Sequence, residues 1–365
     1  MASKLFEPIQ LRGLTLANRI MVSPMCQYSA DNGSATDWHL MHLGHLALGG
    51  AGLLMIEATG VSPEGRITPG CLGLWSDQNE AALASVIRAI RSVSNTKIGI
   101  QLGHAGRKAS TAAPWHGGGQ LTRAQGGWTT RAPSAIPFKE GELPPEPLTI
   151  ADLHRTLEEF VAATRRAERL GIDAIEIHAA HGYLLSEFLS TNANARTDEY
   201  GGSLENRMRY PLEVFRAMRA AWPAAKPMGV RVSSSEYLPG GWDIGETVQF
   251  AARLKAAGCD WIDCSGGGVS PLQKITLGPG YQVPFAARVR AEVDIPTIAV
   301  GLITDPAQAE EIVASGKSDM VALGRAMLYD PRWAWHAAAR LGAKANAPKQ
   351  YLRAAPREYP DLLAG

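Results

Sequence analysis

The chain has 365 residues, of which 45% are hydrophobic and 19% are charged, values typical of a compact globular protein and unlike those of a disordered chain. Its 36 Lys and Arg residues nearly balance its 35 Asp and Glu residues, which leaves a formal net charge of +1. Binding to nucleic acid or to an anionic membrane needs a concentrated basic face, so this balance argues against both partners.

Four cysteines are spread along the chain, at Cys26, Cys71, Cys259 and Cys264. No two of them form a C-x-x-C pair, which argues against a zinc ribbon, an iron–sulfur cluster and a thioredoxin-type motif. Residues 1–11 lack the basic and apolar segments of a secretion signal. We therefore expect a cytoplasmic protein without a metal site.

Short apolar runs rich in Val, Ile and Leu alternate with longer segments that have helical spacing. Each run is apolar on both faces, as a parallel strand covered on both sides should be. The eight predicted strands are 19–23, 53–58, 98–102, 174–178, 228–232, 261–265, 297–300 and 320–323. The predicted helices between them include 79–92, 150–170, 204–221, 247–257 and 307–315.

This alternation predicts an α/β fold, a single-domain (β/α)8 TIM barrel that spans residues 1–365. A doubly wound open sheet is the alternative, but the G-x-G-x-x-G string that such a fold uses for a dinucleotide is absent. Residues 105–147 contain many glycines and prolines and no periodicity, which predicts a long loop after strand 3. Loops at that end of a barrel cover the active site.

Glycines follow the last three predicted strands, at positions 266–268, Gly301 and Gly324, and Arg325 comes next. Backbone N–H groups can approach a phosphate closely where no Cβ intervenes, so these positions predict a phosphate cradle. The alternative is that the glycines only close tight turns between strand and helix.

Two histidines and a tyrosine, His178, His181 and Tyr183, follow strand 4. A metal pair is one interpretation, but no third ligand motif supports it, and two histidines buried in the core are another. We favour two imidazoles that donate hydrogen bonds to a substrate oxygen as it gains negative charge, with Tyr183 as a proton donor.

Cys26 follows strand 1 and has two readings of similar weight. It is either an inert packing residue or a thiol that tunes the potential of a nearby electron-rich ring. A nucleophilic role would need a neighbouring base.

Together these segments resemble the Old Yellow Enzyme family, and the pair Cys26 and Tyr28 resembles its thermophilic-like class, which includes xenobiotic reductase-type enzymes. The resemblance covers nearly the whole chain in order. It is carried by S-P-M-C-Q-Y (23–28), E-A-T (57–59), Q-L-G-H-A-G-R-K (101–108), H-A-A-H-G-Y-L (178–184), R-T-D-E-Y-G-G-S-L-E-N-R (196–207) and G-R (324–325).

The resemblance implies a barrel with non-covalent FMN that NADPH reduces and that then reduces activated C=C bonds in a ping-pong cycle. It implies that Arg231 faces the N1/O2 edge of the flavin. The other implied cofactor-binding residues are Ser23, Pro24, Met25, Cys26, Ala58 and Gln101 near the ring, and Ser265, Gly301, Gly324 and Arg325 at the phosphate.

On the substrate side, the resemblance implies that His178 and His181 bind the oxygen of an enone or nitro compound while Tyr183 protonates the α-carbon. Tyr28 and Lys108 would also contact substrate. The implied assembly is a homodimer or homotetramer in which the tail, about 346–365, lies at a subunit interface and Arg353 reaches the neighbouring site. One position departs from the family's usual pattern, since Thr191 stands where relatives often have proline.

Two other hypotheses stay open at this stage. One is a different flavin barrel of the dihydroorotate or dienoyl-CoA type, although the latter needs an iron–sulfur segment and a further domain. The other is a barrel that binds a phosphate-containing ligand without redox function.

Overall fold

Eight parallel strands close into a barrel in the computed structural model, which describes residues 3–365. Each strand pairs with the next along the chain, and β8 pairs with β1. The strands are β1 (Ile20–Val22), β2 (Leu53–Gly60), β3 (Lys97–Gly103), β4 (Ala174–Ala179), β5 (Met228–Ser233), β6 (Ile262–Ser265), β7 (Thr297–Ala299) and β8 (Met320–Leu323). All eight predicted strands and the TIM barrel are confirmed.

Helices cover the outside of this barrel. They are α1 (Asp37–Ala47), α2 (Asp77–Arg91), α3 (Ile150–Arg169), α4 (Leu184–Leu189), α5 (Leu204–Ala221), α6 (Ile244–Ala256), α7 (Val283–Val293), α8 (Pro306–Ala314), α9 (Arg325–Tyr329) and α10 (Trp333–Leu341). The five predicted helices are confirmed with small shifts at their ends.

Two of these shifts follow from capping side chains. Helix α2 begins two residues before the predicted start because the Ser76 hydroxyl accepts a hydrogen bond from the Asn79 N–H at 3.2 Å. Helix α6 begins three residues early because the Asp243 carboxylate accepts from the Glu246 N–H at 3.0 Å. In both helices the cap lies upstream of the first apolar residue of the periodic pattern.

Alternation along the strands separates the barrel interior from the helix layer. On β1, Ile20 and Val22 pack into the large cluster shared with the helices, whereas Met21 belongs to a second cluster in the interior. An N-terminal hairpin, Ile9–Leu11 with Leu14–Leu16, adds Leu11 and Leu16 to that second cluster. The interior is therefore packed with apolar side chains at its base.

The long segment after β3 contains short elements only, which agrees with the predicted loop. A two-residue parallel pair joins Arg131–Ala132 to Glu146–Pro147, and single 3-10 turns include Pro114–His116. After α10, Ala345–Asn346 pairs with Leu363–Ala364 and buries Leu362 beside Trp335 of the same subunit. Within residues 3–365, no helix has both the length and the apolar character that a bilayer crossing requires.

Glycines in the strands make room for large interior side chains. A Cβ on Gly229 of β5 would lie 2.0 Å from the Trp261 indole, and one on Gly99 of β3 would lie 2.7 Å from the Met55 side chain. The indole and the thioether fill the space that a Cβ on either glycine would occupy.

We expect Gly229→Ala to lower the free energy of unfolding by about 1–3 kcal/mol because the Trp261 indole is fixed on all sides. Gly119→Ala is the matched control, since a Cβ there meets no atom within 4 Å, and its expected change is under about 0.5 kcal/mol. Urea unfolding followed by tryptophan fluorescence measures both. Equal stabilities of the two variants would contradict this packing.

Candidate active site

The barrel register brings the polar residues of β4, β5 and β6 together at the carboxyl ends of the strands. His178 of β4 is in register with Arg231 of β5, which is in register with Asp263 of β6. One step further toward the mouth, Ser233 is in register with Ser265. Residues two apart on a strand face the same side, so these side chains form successive layers inside the barrel.

His178, His181 and Tyr183 lie in contact at this mouth. The distance between His181 Nδ1 and His178 Nε2 is 3.3 Å, and the rings of His178 and Tyr183 meet edge to face with centroids 4.8 Å apart. Burial lowers the pKa of both histidines well below the usual value, and the charge of Arg231 lowers it further. Burial also raises the pKa of the Tyr183 phenol, so at neutral pH the cluster has two neutral imidazoles and a protonated phenol.

Hydrogen bonds fix the position of His181 from both sides of the residue. Its N–H donates to the Ser233 hydroxyl at 2.8 Å, and its Nε2 lies 2.7 Å from the Ser265 hydroxyl. His181 has a φ of 61°, and Gly182 follows with 71°. Only glycine fits at position 182, since a Cβ there would lie 2.2 Å from the Gly268 carbonyl oxygen.

Ser233 is a site residue that the sequence analysis missed. It accepts from His181 and donates to the Gly267 carbonyl at 2.8 Å, so it joins the segments that follow β4 and β6. The available signal was its position two residues after Arg231, on the same face of β5.

The structure places the Lys108 ammonium on backbone carbonyl groups. It donates to the carbonyl of His181 at 2.8 Å and to that of Gly268 at 2.9 Å. It also lies 4.6 Å from the ring centroid of Phe138 and 5.0 Å from that of Tyr183, within the range of cation–π contacts. Lys108 therefore links the segments after β4 and β6 to the loop after β3.

The segment after β1 is held by a buried carboxylate. Glu57 lies at a bulge where the register of β2 against β3 shifts, and its Oε2 accepts from the Gln27 N–H at 3.0 Å. This contact fixes the neighbouring Cys26 and Tyr28, and the Tyr28 ring meets Trp115 edge-on with centroids 5.7 Å apart. Burial raises the pKa of the partly buried Cys26 thiol, so Cys26 is a neutral thiol and not a ready nucleophile.

Residues 4–343 match the family model described as the NADH:flavin oxidoreductase / NADH oxidase family. An NADPH dehydrogenase from Geobacillus thermodenitrificans is 46% identical over 355 residues, which are 97% of this chain and 99% of the relative. The chain belongs to the Old Yellow Enzyme family.

Solved structures agree with this family. Morphinone reductase superposes with a TM-score of 0.78 at 27% identity, over 100% of this chain and 94% of that protein. A 2-naphthoyl-CoA reductase superposes with a TM-score of 0.81 at 25% identity over 90% of this chain, which spans about half (51%) of that longer reductase. The predicted family, FMN as cofactor and NADPH as reductant are confirmed, and the chain is an FMN-dependent NAD(P)H oxidoreductase.

Unpartnered polar groups at the mouth fit an Old Yellow Enzyme flavin. Within residues 3–365 the Arg231 guanidinium has an ion pair with Asp263 and no hydrogen-bond acceptor. The buried Ser23 hydroxyl also has no partner in the described part of the chain. Leaving such groups unpaired costs about 1–3 kcal/mol each, so a ligand with polar ring edges is expected beside them. Gln101, the other predicted polar neighbour of the ring, donates to Glu176 at 2.8 Å, which orients its amide.

The predicted phosphate residues lie at the ends of β6, β7 and β8. Gly301 has a φ of 127°, and Arg325 is exposed at the start of α9. A Cβ on Gly324 would lie 3.7 Å from the Met25 sulfur and 3.9 Å from Ser23, so the predicted phosphate and ring segments are in contact there. Ser265 is placed differently from its neighbours, since its hydroxyl contacts His181.

Arg353 lies exposed on the segment Lys349–Ala354, after α10. Its approach to a neighbouring subunit stays a prediction. Among the described residues, no group of three or more His, Cys, Asp or Glu side chains is placed to hold a metal ion.

The pH dependence of stability tests the buried position of Lys108. Burial lowers the pKa of Lys108 to about 8, whereas a lysine of the unfolded chain titrates near ~10.4. Between these values the unfolded chain binds more protons than the folded one, so this lysine adds to the free energy of unfolding as pH rises across that window.

We therefore expect the difference in unfolding free energy between wild type and Lys108→Met to grow from about pH 8 to about pH 10. Urea titrations at several pH values measure the difference. The exposed Lys139, changed to Met, is the control and should give a flat difference. A flat or falling difference for Lys108→Met would contradict the buried ammonium.

Proposed function

We propose that this protein is an ene-reductase that reduces the C=C bond of α,β-unsaturated carbonyl or nitro compounds with NADPH. The observation that carries this proposal is the contact between two neutral imidazoles and a protonated phenol, beside an arginine that has no hydrogen-bond acceptor among residues 3–365. FMN, when bound, would supply the redox chemistry, which is the transfer of a hydride from NADPH to the acceptor in two half-reactions.

His178 and His181 bind the carbonyl or nitro oxygen of the acceptor. Their lowered pKa values keep both rings neutral, so each ring has one N–H and one unprotonated nitrogen. Fixed N–H donors in a site that excludes water stabilise the negative charge that develops on the oxygen when a hydride reaches the β-carbon. Ser233 holds the backbone N–H of His181, and Ser265 contacts its ring at Nε2. The substrate oxygen would replace the contact between His178 Nε2 and His181 Nδ1.

Tyr183 donates the proton to the α-carbon. Its ring packs against His178, so a substrate oxygen held by the imidazoles places the adjacent carbons near the phenol. The raised pKa of Tyr183 keeps the proton on the phenol at neutral pH, as a general acid requires.

The residues that would hold FMN follow the layers of the barrel. Arg231 would face the N1/O2 edge, with Gln101 and Ser23 as further polar contacts. The remaining ring contacts would come from Pro24, Met25, Cys26 and Ala58. The phosphate contacts would come from Gly301, Gly324 and Arg325, since the Ser265 hydroxyl contacts His181.

A single mouth serves NADPH and acceptor in turn, which gives ping-pong kinetics, and the whole chain acts as one FMN-binding domain. Tyr28 orients the acceptor at the entrance, where Trp115 fixes its ring. The protein assembles as a homodimer or homotetramer in which the exposed Arg353 reaches the neighbouring mouth.

Tyr183→Phe tests the proton donor. We expect oxidation of the reduced protein by 2-cyclohexenone to slow about 100-fold or more, since general acids typically contribute that much. Reduction by NADPH needs no proton from this phenol and should change less than about threefold. Stopped-flow absorbance resolves the two half-reactions, and Tyr329→Phe, at a side chain that is 93% exposed, is the control. Equal slowing of both half-reactions would contradict the role of Tyr183 as the proton donor.

His178→Ala and His181→Ala test whether the two imidazoles bind the oxygen of the acceptor. Each should weaken binding of 4-hydroxybenzaldehyde to the oxidised protein about tenfold, the equivalent of one hydrogen bond. Titration calorimetry measures the dissociation constant, and the exposed His154, changed to Ala, should leave it unchanged. Wild-type affinity in both active-site variants would show that the oxygen binds elsewhere.

A further inference from the structure

Three ionisable side chains form a buried layer inside the barrel, around the level of Arg231. Glu176, Arg231 and Asp263 are 0%, 7% and 0% exposed, respectively. Register places Arg231 beside Asp263, and Glu176 lies two residues before His178 on the same face of β4. Of these three residues, only Arg231 has a role that was predicted from the sequence.

The two carboxylates of this layer have different partners. Glu176 Oε1 accepts from the Gln101 amide at 2.8 Å, and its Oε2 accepts from the Trp261 indole at 3.3 Å. Asp263 has no hydrogen-bond donor among residues 3–365, and its contact is the ion pair with Arg231, at 3.2 Å between Oδ2 and Nε.

This contact makes Asp263 and Arg231 depend on each other. Burial raises the pKa of the Asp263 carboxyl, and the adjacent guanidinium opposes that effect. A buried charge without a partner is strongly destabilising, so neither group is tolerated as a lone ion. The ion pair engages Nε, and the terminal nitrogens of Arg231 have no acceptor within residues 3–365, so they can contact a ligand.

We infer that Asp263 is a positioning residue that holds Arg231 and partly cancels its charge beside the bound flavin. This inference rests on the proposed contact between Arg231 and the N1/O2 edge. A cation there stabilises the negative charge that the flavin gains on reduction, and an adjacent carboxylate weakens this effect. Asp263 thereby keeps the reduction potential of FMN below the value that Arg231 alone would set, so that the reduced flavin remains a good hydride donor.

Glu176 offers a matched control in the same layer. Burial and the nearby Asp263 raise the pKa of Glu176, and neutral N–H donors hold both of its oxygens. Replacing its carboxyl group with an amide therefore changes little charge near Arg231.

The experiment measures the midpoint potential of FMN bound to purified variants, by equilibration with a reference dye and without substrate. Asp263→Asn should raise the equilibrium constant for reduction of the bound FMN at least tenfold. This corresponds to a positive shift of the midpoint potential of about 30 mV for a two-electron couple. Glu176→Gln should change the equilibrium less than about threefold. A potential that is unchanged or more negative in Asp263→Asn, or equal shifts in both variants, would overturn the inference.

Arg231→Gln separates this inference from the proposed function, because it should shift the potential in the negative direction. An unchanged potential in Arg231→Gln would refute the proposed contact with the flavin itself.

The double variant Asp263→Asn/Arg231→Gln has no unpaired charge and replaces Asp263→Asn in this test if that single variant fails to fold. The equilibrium for reduction in this double variant should match that of Arg231→Gln within about threefold, because burial without the arginine leaves the Asp263 carboxyl protonated and its replacement then removes no charge. A further positive shift in the double variant would overturn the inference.

Discussion

Strict alternation of side chains in a closed parallel barrel is the constraint on which this site depends. Successive residues on each strand face inward or outward, and closure brings the inward residues of neighbouring strands into common layers. The base layer is apolar and includes Met21, Leu53 and Trp261. Arg231 and Asp263 follow above it in register with His178, and Ser233 and Ser265 lie one step nearer the mouth. Polarity therefore rises toward the carboxyl ends of the strands, where ligands bind in such barrels.

Burial determines the chemistry of this mouth more than any single charge does. It lowers the pKa of His178 and His181 and raises that of Tyr183, so each group is neutral around pH 7. Neutral donors cost less to bury than ions, and they keep their hydrogen-bonding strength where water is excluded. The guanidinium of Arg231, in register with His178, has an ion pair with Asp263 and no hydrogen-bond acceptor among residues 3–365.

The barrel could be predicted from the sequence because its strands are covered on both faces and appear as continuous apolar runs. The residues that follow those runs were predictable for the same reason, since His178 and Arg231 interrupt an apolar pattern at strand ends. Side-chain partners that depend on the register between strands could not be predicted from the sequence. Asp263 lies within the mostly apolar predicted strand 261–265, where no local pattern indicates its partner. Only the pairing of β6 with β5 shows that it faces Arg231.

Contacts between distant loops were also beyond sequence reasoning. Lys108 was expected to contact substrate, and the structure adds two backbone carbonyls as acceptors of its ammonium, more than 70 residues away along the chain. Glu57 was recognised as part of a motif, but its bond to the Gln27 N–H depends on a bulge in β2. Such contacts require the folded backbone, because no local pattern encodes which loops meet.

A crystal structure of the FMN-loaded protein would show where the flavin binds. We expect electron density for the isoalloxazine at the barrel mouth, with its pyrimidine edge within hydrogen-bond distance of the Arg231 guanidinium and one face open toward His178 and His181. A flavin ring bound away from this mouth, or an Arg231 whose terminal nitrogens bond to protein acceptors instead, would contradict this expectation.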